Sequence, residues 1–196
     1  MTQINQRLTR TVELRNASVN NENGEMILEG YAAIYDSPTV VEEYCGIEYK
    51  EIIAKNAFDG AIMKDCCLKY NHNDSAMILA RTRGGSLELT IDNVGLKFRA
   101  KLFNTSCAKD VYTLIKEGGI DKCSFAFRCA EDSYNVDTQV RTILKIKELF
   151  DVSVVDIPAY DNTSVEARSF FKLESEKRQA LDRAKLANKL KVLTYL

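Results

Sequence analysis

The feature that most limits the fold is how the chain up to about residue 157 breaks into short alternating or apolar runs separated by turn formers. The segments EMILEGYAAIY (25–35), CCLKYNH (66–72), AMILART (76–82), SLELTI (86–91) and LKFRAKL (96–102) each predict a strand. DNVG (92–95) predicts a hairpin turn, with Asn93 and Gly95 supplying the special backbone angles. A longer hairpin is predicted to run from DKCSFAFRC (121–129) through EDSYNVDTQ (131–139) into VRTILKIKELFDVSVVDIPAY (140–160). Two helices interrupt the strands, AKNAFDGAIM (54–63) and NTSCAKDVYTLIKEGG (104–119). The second has Asn104 or Thr105 to cap it, Val111, Leu114 and Ile115 as an apolar stripe, and Gly118 to end it. So many short strands with so few helices predict a β-rich α+β fold, a barrel or a sandwich.

After Asp161 the pattern changes. Residues 166–196 contain neither glycine nor proline, and Leu186, Leu190 and Leu193 recur at helical spacing among charges. The expected organisation is a β domain over 1–165 and a C-terminal amphipathic helix over 166–196 that packs on the domain, self-associates or tethers the protein.

Charge and cysteine content exclude several functions. With 27 basic and 28 acidic side chains the formal net charge is -1, so no global attraction to nucleic acid or an anionic membrane is expected. No apolar run has the length of a membrane span, and MTQINQRLTRTVEL lacks the apolar block of a secretory signal, which predicts an intracellular protein. Six scattered cysteines in a chain of 196 residues are too few for a disulfide scaffold and read as reduced, small hydrophobes. One histidine and no Cys-x-x-Cys argue against structural zinc, and no metal or organic cofactor is expected. Any histidine chemistry must use His72.

Period-two alternation then separates the faces of the long hairpin. Cys123, Phe125, Phe127 and Cys129 point to a core, while Ser124, Ala126 and Arg128 point the other way, as solvent-facing surface or as a floor cleared for a ligand. On the following strand Phe150, Val152 and Val154 form one face and Asp151 and Ser153 the other. His72, Ser124 and Asp151 each interrupt an apolar strand-like setting. A serine hydroxyl needs a base within hydrogen-bond reach and a third group to steady that base, and the chain carries one of each on separate strands. Taken singly they also read as a turn histidine, a structural serine and a surface acid, so local sequence alone supports only a soluble β-rich domain. Cys123 and Cys129 are competing nucleophiles, but they face the apolar side, where a thiol's pKa rises.

Taken together, EGYAAIYDSP, EEYCGIEYKEIIAKNAFDGAI, LKYNHND, GSLELTIDNVGLKFRAKL, DKCSFAFR and ELFDVSVVDIPAY resemble, in order and spacing, the prohead proteases of tailed bacteriophages. These are capsid-maturation serine proteases similar in fold to herpesvirus assemblin. The resemblance spans about residues 10–165 and implies a herpesvirus-protease-like β-barrel. It implies His72 as general base, Ser124 as nucleophile and Asp151 as third member, with Glu148 able to replace Asp151 if a bulge turns it. Arg128, Arg141 or a backbone amide is left as oxyanion donor. Ala126 stands where the family has glycine, a departure that is harmless unless the backbone there needs a positive φ. The implied activity is a serine endopeptidase in the host bacterial cytoplasm, within the immature capsid. It would cut scaffolding sequence or the N-terminal extension of the major capsid protein, and itself. The implied partners are the capsid protein with its scaffolding segment, and further copies of the chain. The alternative is a non-catalytic capsid assembly module on the same barrel.

Overall fold

Two sheets share one apolar core in the computed structural model, which describes residues 7–13, 18–22, 25–44, 47–74 and 77–156, with 176, 177, 180, 183 and 184 of the tail. In chain order the strands are β1 (Arg7–Glu13), β2 (Ser18–Glu22), β3 (Glu25–Ile34), β4 (Thr39–Tyr44), β5 (Ile47–Ile53), β6 (Cys67–Tyr70) and β7 (Ala80–Arg81). β8 (Leu87–Ile91) and β9 (Gly95–Lys101) precede the helix α1 (Ser106–Lys116), and β10 (Lys122–Asn135) and β11 (Val140–Val155) follow it. The larger sheet has the order β1-β10-β11-β5-β4, with β6 also on β11 and β7 on β6; the smaller has the order β2-β3-β9-β8.

The sheets meet through side chains, not through backbone pairing. Leu28 and Phe98 of the smaller sheet lie in one buried cluster with Phe125, Phe127, Val152 and Val154 of the larger. Among the described residues no strand joins the two sheets, so the closed β-barrel expected from the sequence is replaced by two packed sheets. The C-terminal helix expected over 166–196 lies, apart from five scattered helical positions, outside the described residues.

The helix over 104–119 forms as α1. Thr105 caps it by accepting from the Ala108 N–H at 3.2 Å, Val111 and Ile115 are buried, and Gly118 at φ 78° follows its end. Leu114 belongs to the predicted stripe but is exposed. Residues 54–63 do not form a helix. Asn56 and Gly60 take left-handed angles, the N–H groups of Ala57, Asp59 and Ala61 bond three residues back, and Ile62 bonds across to Lys147 and Leu149. The segment serves to bury Ala57 and Phe58 in the core, so its apolar spacing reflects packing of successive turns.

The hairpin at 92–95 closes without the angles expected of Asn93 and Gly95. Its bend is held by the Asp92 carboxylate, which accepts from Val94 N–H at 2.7 Å and Gly95 N–H at 3.0 Å. Gly95 has another role. A Cβ there would lie 2.0 Å from the Ala33 carbonyl oxygen, where β3 shifts register against β9.

The long hairpin β10–β11 positions the site. The rings of Phe125 and Phe127 stack at 5.0 Å, and Phe58 tilts against Phe125 at 5.9 Å, so one face of β10 is anchored in the core. β11 carries one extra residue, Phe150, because Ala126 pairs with Asp151 while Phe127 pairs with Leu149. This bulge changes the predicted faces: Leu149 joins Val152 and Val154 inside, whereas Phe150 sits half-buried between the guanidinium groups of Arg7 and Arg128. Without it, Asp151 and Leu149 would share a face.

Candidate active site

Four strands build the site in rows. Thr11 of β1, Ser124 of β10, Ser153 of β11 and Lys69 of β6 are register partners in one row; Thr9, Ala126, Asp151 and Cys67 form the next. Directly paired residues point to the same side of a sheet, so Ser124, Ser153 and Asp151 share one face.

His72 reaches that face by a reversal of the chain. β6 runs parallel to β11, and Asn71 continues the pairing by donating to the Val154 carbonyl at 3.0 Å. Asn71 and His72 then both take φ 52°, in the left-handed region, and the chain turns back over Ser153. Asn and His tolerate that region better than most residues. The turn is held from outside by Asn71, whose amide donates to Asp156 at 2.8 Å while the Asp156 N–H returns a bond at 3.3 Å. It is held from beneath by Ser153, whose hydroxyl accepts the His72 backbone N–H at 3.2 Å.

The imidazole spans two strands as a result. Nδ1 lies 2.5 Å from Asp151 Oδ1, and Nε2 lies 2.6 Å from Ser124 Oγ. An ionised Asp151 can only accept, so Nδ1 carries the hydrogen, and the Nε2 lone pair faces the serine O–H. Ser124 is 1% exposed and Asp151 is fully buried, while the His72 side chain is 20% exposed and is the one part of the three open to solvent. The face read as surface or cleared floor is therefore covered at Ser124, because the His72 ring lies against its hydroxyl while Thr11 and Ser153 flank it in the sheet. Ala126 is buried with ordinary extended angles, so alanine in place of glycine carries no backbone strain.

Asp151 is saturated with partners. Oδ1 also accepts from the Ser153 hydroxyl at 3.0 Å; Oδ2 takes a close ion pair from Arg7 and has Lys69 at 3.6 Å. Lys69 in turn holds Asp74 at 2.5 Å. Burial pushes the Asp151 carboxyl up, but the His72 hydrogen bond and charge, with Arg7 and Lys69, outweigh it and hold the acid below its ordinary value of 3.8. A carboxylate depressed in the folded state contributes stability that is complete above the ordinary value and lost as pH falls through the folded one. The stability difference between wild type and Asp151→Asn is therefore expected to shrink as pH falls below 3.8, read from urea midpoints across pH.

The other candidates stand elsewhere. The Phe150 bulge does not bring Glu148 to His72; Glu148 accepts from Arg128 at 2.8 Å, one row beyond Asp151. Arg141 pairs with Tyr134, roughly 30 Å along β10 from Ser124, and binds Glu51 and Asp132. Cys123 lies in the core, where burial pushes its thiol far up, and burial lifts Cys129 to about 11, so neither is a ready thiolate. Among the described residues no group of three or more His, Cys, Asp or Glu side chains is placed to hold a metal. Sequence reasoning missed Ser153, Arg7 and Lys69 as partners of the site. Ser153 was legible as the residue two after Asp151 on its face; Arg7 and Lys69 carry no local signal.

The chain resembles the prohead protease of Escherichia phage T5, with 28% identity over 102 residues, or 52% of this chain and 45% of that relative's length. The capsid assembly protease of bacteriophage T4 has a similar fold, with a TM-score of 0.51 and 13% identity over 76% of this chain and 97% of that one. Residues 11–178 match the family model of the caudovirus prohead serine protease, a span that takes in His72, Ser124 and Asp151, and the chain therefore belongs to that family.

Proposed function

We propose that this chain is a serine endopeptidase of phage capsid maturation, with Ser124 as nucleophile, His72 as general base and Asp151 as the acid that steadies it. The observation that carries the reading is the unbroken line from Ser124 Oγ through both ring nitrogens to a buried carboxylate. As Oγ forms its bond to the scissile carbonyl carbon, its proton passes to His72 Nε2, and the resulting imidazolium keeps its Nδ1–H on Asp151. Collapse of the tetrahedral adduct breaks the C–N bond, and the Nε2 proton leaves on the amine. Water, deprotonated by the same nitrogen, then releases the acyl group and restores the serine. With Arg128 bound to Glu148 and Arg141 remote, neither arginine is placed as the oxyanion donor.

The substrate in this reading is scaffolding sequence or the N-terminal extension of the major capsid protein, together with the protease itself, inside the immature capsid. The names of the T5 and T4 proteins, a prohead protease and a capsid assembly protease, support that setting. Co-expression with the cognate capsid protein tests it. The capsid chain is expected to shorten with the wild-type protein and to keep full length with Ser124→Ala. Full length in both cultures overturns the protease reading in favour of a non-catalytic role.

A further inference from the structure

We propose that Ser153 is a fourth member of the site, a positioning residue whose hydroxyl sets both the backbone and the ring of His72. The proposal rests on the assignment of Ser124, His72 and Asp151 above. Ser153 is fully buried, and its Oγ lies within hydrogen-bond distance of three groups of that assembly: the His72 N–H at 3.2 Å, His72 Nδ1 at 3.2 Å and Asp151 Oδ1 at 3.0 Å. The one hydroxyl proton goes to Asp151, which can only accept, and the lone pairs face the His72 backbone and the Nδ1–H. Ser153 is also the register partner of Ser124, so it stands beneath the bridge that the imidazole makes between β10 and β11.

The role follows from the backbone. His72 and Asn71 occupy left-handed angles in succession, a conformation that persists only where surrounding contacts over-determine it. Asn71 is tied by its amide and by Val154, but the bond recorded from the His72 N–H is the one to Ser153. The turn itself stays closed by the Asn73 N–H on the Tyr70 carbonyl at 3.0 Å. Removing the Ser153 acceptor therefore frees the His72 N–H and loosens the ring within the turn, shifting Nε2 from Ser124. A displacement on the order of 1 Å at a reacting group costs about 100-fold in rate. Because the hydroxyl does not touch substrate, the loss belongs in kcat and not in KM.

Threonine and valine at 153 separate this role from simple packing, since they share a shape and differ in the hydroxyl. Ser153→Val and Ser153→Ala are expected to lower kcat by about 10- to 100-fold with KM within about twofold of wild type, while Ser153→Thr retains at least about tenfold more kcat than valine. The readout independent of turnover is NMR. His72 is the chain's one histidine, so in tag-free protein its ring signals need no assignment. The Nδ1–H resonance is expected to persist in wild type and Ser153→Thr and to be lost to exchange in Ser153→Val and Ser153→Ala. Equal kcat and equal ring spectra for threonine and valine overturn the proposal, as does a wild-type spectrum for alanine should neither β-branched variant fold. If wild type cleaves no capsid chain while the ring spectra still divide by hydroxyl, the protease reading fails and the positioning role stands.

Discussion

Ser124→Ala and His72→Ala are each expected to lower kcat/KM by about 10⁵- to 10⁶-fold on a peptide spanning a cleavage site, and the double substitution to lower it no further. The reason is the shared proton. Ser124 Oγ at 2.6 Å from Nε2 gives up its hydrogen only as that nitrogen takes it, so removing either partner removes the same step. Asp151→Asn is expected to cost about 10⁴-fold, less than the other two, because an amide in place of the carboxylate favours the wrong ring tautomer but leaves both reacting groups present. Activity that survives Ser124→Ala excludes Ser124 as nucleophile. Multiplicative loss in the double variant shows that the two side chains act in separate steps.

The same residues show what the sequence could and could not convey. Alternation in DKCSFAFRC and DVSVV correctly sends Phe125, Phe127, Val152 and Val154 inward and Ser124, Asp151 and Ser153 to the opposite face, because the pleat enforces a period of two wherever pairing is regular. It fails at Phe150, where an unpaired residue shifts the phase, and no local signal marks a bulge inside an apolar run. It fails again at exposure: Ser124 is covered because His72, 52 positions away, lies against its hydroxyl. The convergence of His72 on Ser124 depends on a parallel β6–β11 pairing and two left-handed residues; of these only the tolerance of Asn-His for such angles is visible in the string. Residues 54–63 mislead in another way. Their apolar spacing suits a helix, but Asn56 and Gly60 turn the chain, and burial of Phe58 outweighs helix propensity.

The strand β5 is hidden in the sequence by the feature that makes it valuable. Its inward side reads Tyr49, Glu51, Ile53, and a glutamate among core positions looks like a solvent-facing residue. Glu51 is buried between two buried arginines. Arg10 grips both its oxygens, with Nη2 at 2.6 Å, and Arg141 Nη1 lies 3.3 Å away and carries Asp132 on its Nε at 2.5 Å. Removing the shared carboxylate leaves the buried Arg10 guanidinium without a charge partner and Arg141 with Asp132 alone, so Glu51→Ala is expected to cost about 3–5 kcal/mol, against a small effect expected for most surface changes. For a chain of this size that is a fall in Tm of about 6–20 °C. Replacing all three, as in Arg10→Met, Glu51→Leu and Arg141→Met together, is expected to restore wild-type stability or exceed it, because no fully buried ion is left and Asp132, part-exposed, stays hydrated. Urea unfolding of the single and triple variants tests this, and a single variant within about 1 kcal/mol of wild type shows that the cluster is solvated in solution. β5 pairs with residues 140–143 at the opposite end of β11 from Asp151 and Ser153. Glu51→Ala is therefore expected to lower the folded fraction without changing kcat/KM per folded molecule, the reverse of what removal of Ser153 does.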